Sequence, residues 1–132
     1  MVIQSKQIPL LLRRVLPLVT AWSGEAVTTT RALESDFGLE IGSLSALIDK
    51  WLNDSDFEAA AAECYTPLDR EEAPYNYTVN EKGLSLILLF IGEPGLEPKS
   101  KLAPVYATAY TQAFERVKKL ISAEQETKGN DE

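Results

Sequence analysis

Apolar residues recur at intervals of three and four along much of the chain, the spacing that places them on one face of an α-helix. The clearest case runs from Ser43 to about Leu52. Its apolar positions are Leu44, Leu47, Ile48, Trp51 and Leu52. A first helix is predicted from the same spacing of Ile8, Leu11, Leu12, Val15, Val19 and Trp22. Pro17 should kink or split this first helix, and Gly24 should end it.

Capping residues mark two further helices. Threonines 28–30 suit a helix N-cap, and Gly38 suits a left-handed C-cap, so a short helix is predicted between them. Asn80 should cap a largely buried helix that covers the sequence GLSLILLF. The stretch GEPGLEPKSK, from residue 92 to residue 101, has the glycines and prolines of a loop.

The last helix is predicted from about Leu102 to Ala123. Its apolar residues again step by three and four, which predicts a seam that packs against a partner helix. The predicted seam consists of Leu102, Tyr106, Ala109, Tyr110, Ala113, Val117 and Leu120. Tyr106 and Tyr110 could place their hydroxyls at the rim of a dimer. The polar segment 124–132 is predicted to be disordered.

Residues 57–65 could be either strand or helix. Their four consecutive alanines favour a helix, and Ser55 with Glu58 forms a capping-box pair. Alternation at Tyr75, Tyr77 and Val79, in contrast, predicts a strand that could pair with this segment. The expected fold is therefore mainly α, of the α+β class with a small β-hairpin, and the alternative is an all-α bundle.

The chain length and composition fit one domain in a reducing compartment. The 132 residues are 45% hydrophobic, enough for a single core, so residues 1–123 are expected to form one domain. Cys64 is the only cysteine, which excludes an intramolecular disulfide and favours a cytoplasmic protein. The longest uncharged runs are too short to cross a bilayer, so no membrane association is expected.

The segment YTVNEKG, residues 77–83, is close to the motif Y-x-L-T-x-K-G. The segment follows the predicted third helix and an extended stretch, and it precedes a buried helix. In this order of elements it resembles the end of the wing in winged helix-turn-helix regulators of the HxlR, PadR and MarR kind. The matching residues are Tyr77, Val79, Asn80, Lys82 and Gly83, with Asn80 in place of the capping Thr. The resemblance covers roughly residues 8–91. It implies a winged-helix-like domain, a recognition helix that starts at Ser43, and a C-terminal dimerisation helix at about residues 101–123.

The charge distribution is unfavourable for DNA binding. The chain carries a net charge of −7, and residues 34–72 contain eleven acidic residues against Lys50 and Arg70. DNA-binding surfaces normally supply Lys and Arg to the phosphates. An acidic surface can instead contact a basic, nucleic-acid-binding protein, so the chain is predicted to be an adaptor or inhibitor that acts by protein contact. The candidate acidic interaction face consists of Asp49, Asp54, Asp56, Asp69, Glu71 and Glu72.

A DNA-binding transcription regulator is the alternative, as the resemblance implies. Small residues at the start of the third helix would permit close approach to a backbone, and hydroxyl and basic groups lie beside them. The candidate contacts are Arg31, Ser43, Ser45, Lys50 and Arg70.

Catalytic and metal-binding signals are weak. The chain has no His, which removes the commonest general base and metal ligand. Asp54, Asp56 and Glu58 imitate the start of a calcium loop, but Ala59 and Tyr65 stand where that loop needs Gly and Glu. We therefore predict no enzyme, no cofactor and no metal site. The expected partners are a second copy of the chain, through the predicted seam, and either a basic protein or DNA.

Overall fold

The computed structural model describes residues 7–22, 24–68 and 76–130, with side chains through residue 124. Six α-helices and four β-strands are assigned within these residues. The helices are α1 (Gln7–Val15), α2 (Thr30–Phe37), α3 (Ser43–Leu52), α4 (Glu58–Cys64), α5 (Glu81–Phe90) and α6 (Ala103–Asn130). The strands are β1 (Thr20–Trp22), β2 (Glu25–Thr29), β3 (Tyr65–Pro67) and β4 (Tyr77–Asn80).

The four strands form one antiparallel sheet in the order β1-β2-β4-β3. Strand β4 lies inside the sheet, where Val79 pairs with Thr28 of β2 and with Tyr65 of β3. All four residues of β4 are buried. The predicted α+β class is therefore confirmed, and the all-α bundle is wrong because the pairing of β4 outweighs the local helix signals around it.

Residues 57–65 combine the two structures that the sequence left open. Helix α4 covers the alanines and ends at Cys64, and β3 begins at Tyr65. The helix begins after Phe57, which makes no side-chain capping bond, so the Ser55 capping box is not used. Alanine propensity thus decides the first part of the segment, and pairing of Tyr65 with Val79 decides its end.

The first predicted helix is too long. Helix α1 ends at Val15, Pro17 lies in a 3₁₀ turn (Leu16–Leu18), and Trp22 belongs to β1. Proline lacks the N–H that a continuing helix would need, and β1 instead pairs with β2 through a turn at Gly24, whose φ is +82°. Trp22 is 41% exposed rather than part of a buried helical face.

The predicted caps are present. Thr29 accepts a hydrogen bond from the Ala32 N–H at the start of α2, and Gly38 ends that helix with φ of +72°. Asn80 accepts a hydrogen bond of 2.8 Å from the Gly83 N–H at the start of α5. YTVNEKG is therefore a strand that leads directly into a capped helix.

Helix α6 packs along α1 and against β1 and β2, and it carries a large share of the core. Its fully buried residues include Ala109, Tyr110, Ala113 and Phe114. The helix continues to Asn130, so the backbone of residues 124–130 is helical where a disordered tail was predicted.

Candidate nucleic-acid interface

Helices α2 and α3 are joined by a turn at residues 38–42 and are called the α2–α3 unit, in which Glu34 of α2 holds the start of α3. Gly42, the N-cap of α3, has no side chain to offer to the free N–H groups. The Glu34 carboxylate replaces it and accepts hydrogen bonds of 3.0 Å from the N–H groups of Gly42 and Leu44. Burial raises the pKa of Glu34, while these backbone hydrogen bonds oppose the rise. The acid therefore has a structural role inside the unit.

Helix α3 turns a small and nearly neutral surface outward. Leu44, Ile48 and Trp51 are buried. The outward positions are half-buried Ser43, exposed Ala46 and Lys50, and, just past the helix end, exposed Asn53. Lys50 supplies the positive charge of this outer surface of α3.

Asp49, on the flank of α3, is half-buried and bonded to the sheet. Its Oδ1 accepts a hydrogen bond from the hydroxyl of Tyr77, the first residue of β4. Part of the Asp49 charge is thereby directed toward the protein. The sequence placed Asp49 on an acidic interaction face; in the structure this carboxylate is half-buried and lies against Tyr77.

The start of β4 is also bonded to the start of α2. Asn76 Oδ1 accepts hydrogen bonds from the Thr30 hydroxyl, at 3.0 Å, and from the Arg31 N–H, at 3.2 Å. The Thr30 hydroxyl in turn accepts a hydrogen bond from the Tyr77 N–H. These bonds and the Tyr77–Asp49 pair fix the β3–β4 hairpin relative to α2 and α3.

The predicted nucleic-acid contacts fall in different environments. Lys50 and Arg31 are exposed, and Ser43 is half-buried with its hydroxyl donating to the Glu40 carbonyl at 2.7 Å. Ser45 is 3% exposed, so it is not a contact; its position on α3 faces the core. Arg70 lies outside the described residues.

The remaining acids divide into buried and exposed groups. Asp36 is buried and accepts a hydrogen bond from the Tyr110 hydroxyl. Burial, followed by this hydrogen bond, raises the pKa of Tyr110. The exposed carboxylates of the predicted acidic segment are Glu40, Asp56, Glu58 and Glu63. Asp54 is half-buried and accepts from the Asp56 N–H, whereas Asp69, Glu71 and Glu72 lie outside the described residues.

The loop before α6 adds a lysine beside the α2–α3 unit. The Lys99 N–H donates to the Gly38 carbonyl at 3.0 Å, and the Ser100 N–H donates to the Phe37 carbonyl at 3.2 Å. A Cβ at Gly38 would lie 2.6 Å from the Ser100 nitrogen, so only glycine fits there. Lys99 is exposed, and sequence reasoning missed it because nothing in GEPGLEPKSK indicates where the loop docks.

The predicted dimer seam is mostly part of the chain's own core. Tyr106, Ala109, Tyr110, Ala113 and Val117 are buried, and Leu102 is half-buried. Their spacing does serve helix packing, as predicted, but the partners belong to the same chain: α6 packs along α1 and the sheet, and Tyr106 and Tyr110 contact Phe37 of α2. Leu120 differs from the rest of the seam because it is 68% exposed.

A separate cavity of about 540 Å³ lies between the β1–β2 turn, the start of α5 and α6. Carboxylates of Glu25 and Glu63 and the ammonium group of Lys82 line it, and Lys118 pairs with Glu81 at its edge at 2.9 Å. Among the residues with described positions, no group of three or more acidic or Cys side chains could hold a metal ion.

The helices within the described ranges are too short or too polar to cross a membrane. Comparisons of the chain with protein-family models, curated proteins and solved structures find no match. These comparisons therefore give no support to the winged-helix resemblance, which stays a prediction from the sequence.

Proposed function

We propose that the protein is a non-enzymatic regulator that binds DNA through the outer surface of α3. The observation that carries this proposal is the placement of the acids in the α2–α3 unit. Glu34 and Asp36 are buried and Asp49 is bonded to Tyr77, so the acids of α2 and α3 themselves are turned toward the protein, whereas Glu40 is exposed in the turn between the two helices. Lys50 remains there among small neutral residues.

The order of the elements supports the same proposal. Helix α1, strand β2, helices α2 and α3 and the β3–β4 hairpin follow one another as in a winged helix, with strand β1 added before β2 and the short helix α4 added before the hairpin. In such domains the second helix of the unit enters the major groove and presents its N-terminal residues to base edges. The small side chains of Ser43 and Ala46 would let α3 approach closely.

The basic charge at this surface limits the affinity. Lys50 and Arg31 are the exposed cations of α2 and α3, and Lys99 lies beside their turn. Each neutralised phosphate makes the slope of log affinity against log salt concentration more negative by about 0.9. Two or three phosphate contacts from one copy should therefore give a slope of roughly −2 to −3. Such a weak electrostatic grip favours a homodimer that contacts two half-sites, and we include dimerisation in the proposal.

Fluorescence anisotropy with labelled duplex DNA, titrated from low to high salt, tests the proposal. Lys50→Glu should abolish binding to random duplex, because it replaces the cation of the outer surface of α3 with an anion. Lys82→Glu is the matched control, since Lys82 is also exposed but lines the separate cavity. Absence of binding by the unsubstituted protein at low salt would contradict DNA binding, as would equal losses in the two variants.

The exposed acids near α4 favour a second candidate, contact with a basic protein as an adaptor or inhibitor. Phe57 is 53% exposed and lies between Asp56 and Glu58, so an apolar anchor is surrounded by negative charge. Aromatic anchors of this kind commonly contribute much of the energy of a protein interface. Phe57→Ser should abolish binding to a basic protein while it leaves duplex binding unchanged, and undiminished binding of the variant to the basic protein would argue against this candidate.

A further inference from the structure

The inner face of α6 continues beyond the core that covers it. This face is buried as far as Val117, and the next residue on it, Leu120, is 68% exposed. Ile121 is half-buried, and the other described side chains from 118 to 124 are exposed. The helix nevertheless continues to Asn130. Short helices without packing partners are marginal in water, so this part of α6 would gain stability from a cover.

An apolar groove lies directly beside Leu120. It has a volume of about 550 Å³ and is lined by Leu16, Val19, Val117 and Leu120. Arg116 and Lys119 form its charged rim. A protruding leucine and a groove that can accept a leucine therefore lie next to each other on one surface.

We propose that a second copy of this chain covers this surface, with the two α6 helices crossing antiparallel near Leu120. A two-fold interface uses the same patch on both copies, so the patch must be complementary to itself. Here Leu120 of each copy would enter the groove formed by Leu16, Val19 and Val117 of the other. A single patch thus supplies both the protruding side chain and its pocket.

The charges around Leu120 fit this arrangement. Arg116 and Glu124 are both exposed and lie one helical turn before and after Leu120. In an antiparallel crossing at Leu120, Arg116 of one copy lies opposite Glu124 of the other, and symmetry repeats the pair. Opposite charges face each other in this orientation, whereas a parallel pairing would bring each charge near its own kind.

The proposed α6 interface at Leu120 rests on the homodimer that the proposed function includes. Dimerisation through this interface requires no DNA. It also replaces the buried Tyr106–Val117 seam with a surface that is accessible on the folded chain. Sedimentation can show that the chain does not dimerise, and duplex binding through Lys50 would still be measurable in that case. The two proposals can therefore fail separately.

Sedimentation velocity over a concentration series tests the interface on the full chain. We expect the unsubstituted protein to dimerise and Leu120→Asp to weaken the dimer by about tenfold or more, because a charge replaces the central apolar contact. Leu89→Asp is the control, since Leu89 is 75% exposed on α5, away from the groove. Unchanged circular dichroism would show that both variants fold. A monomer at every concentration, or a Leu120→Asp dimer as tight as the control, would overturn the proposal.

A charge exchange tests the antiparallel orientation. Arg116→Glu and Glu124→Arg should each weaken the dimer, because each places like charges opposite each other. The double variant Arg116→Glu/Glu124→Arg should recover most of the affinity, since the exchanged charges again pair across the two-fold axis. Failure of the double variant to recover would overturn the antiparallel crossing, even if Leu120→Asp produces a monomer.

Discussion

The acids of the α2–α3 unit differ from those around α4 in what surrounds them. Glu34 and Asp36 are buried and accept hydrogen bonds from backbone or tyrosine groups, whereas Asp56, Glu58 and Glu63 are exposed to solvent. Along the sequence they form one acidic run. The comparison shows that a count of charges in a segment does not give the charge of a surface, because some carboxylates serve as internal acceptors.

Among the buried and exposed acids, loss of Glu34 should have the largest effect on the stability of the fold. Glu34→Ala leaves the N–H groups of Gly42 and Leu44 without their acceptor at the start of α3, so we expect a loss of about 2–4 kcal/mol in the free energy of unfolding. Glu40→Ala is the matched control, because that side chain is exposed, and it should change stability by less than about 0.5 kcal/mol. Urea denaturation measures both. Equal effects would mean that Glu34 does not cap α3.

The pH dependence of stability should identify the same carboxyl. Because the folded-state pKa of Glu34 is raised by burial, the folded protein binds more protons than the unfolded chain just above the ordinary value of 4.5. The contribution of Glu34 to stability is therefore complete below that pH and decreases as the pH rises through its folded-state pKa. In Glu34→Gln, the free energy of unfolding measured by urea denaturation should no longer show this decrease between pH 4 and pH 7. Parallel curves for the two proteins would contradict it.

A smaller effect is expected for the acid that is buried against α6. Tyr110→Phe removes the hydroxyl that donates to Asp36 and leaves a buried carboxylate short of a donor, so we expect a loss of about 1.5–3 kcal/mol. Tyr106→Phe is a close control, because Tyr106 is also buried on α6 and contacts the ring of Phe37. Tyr106→Phe should lower the free energy of unfolding, measured by urea denaturation, by less than about 1 kcal/mol. A loss in Tyr106→Phe as large as that in Tyr110→Phe would count against the Asp36 bond.

The sequence predicted the local features of the fold well. The Thr29, Gly38 and Asn80 caps depend on a few neighbouring residues, and all three are present. The alanines of α4 likewise express a local preference. Strands β1 and β2 were both missed because their pairing depends on a turn at Gly24, whereas the apolar spacing up to Trp22 was compatible with a helix.

The candidate site could be predicted only in part, for reasons of tertiary structure. Lys50 lies where the helical pattern places it, but the sequence could not tell that Ser45 faces inward or that Tyr77 reaches Asp49 from β4. The α6 seam was recognised as a packing surface, yet its spacing does not distinguish a helix of the same chain from one of another copy. The errors at the α3 site and at the α6 seam have the same cause. In both, the sequence does not show which part of the chain a side chain contacts, because contacts between residues far apart in the sequence decide it.

The smallest predicted effect concerns Asp49, whose environment is intermediate between the two groups of acids. Asp49→Asn removes the charge from the flank of α3 but keeps an oxygen that can accept from Tyr77, so stability should change little. If α3 approaches DNA, loss of one half-buried negative charge near the phosphates should raise duplex affinity about two- to fivefold at low salt. Glu63→Gln removes an equal charge from α4 and should give a smaller increase. Anisotropy titrations of the two variants would separate a local effect at α3 from a general effect of net charge, and equal increases would argue against contact through α3.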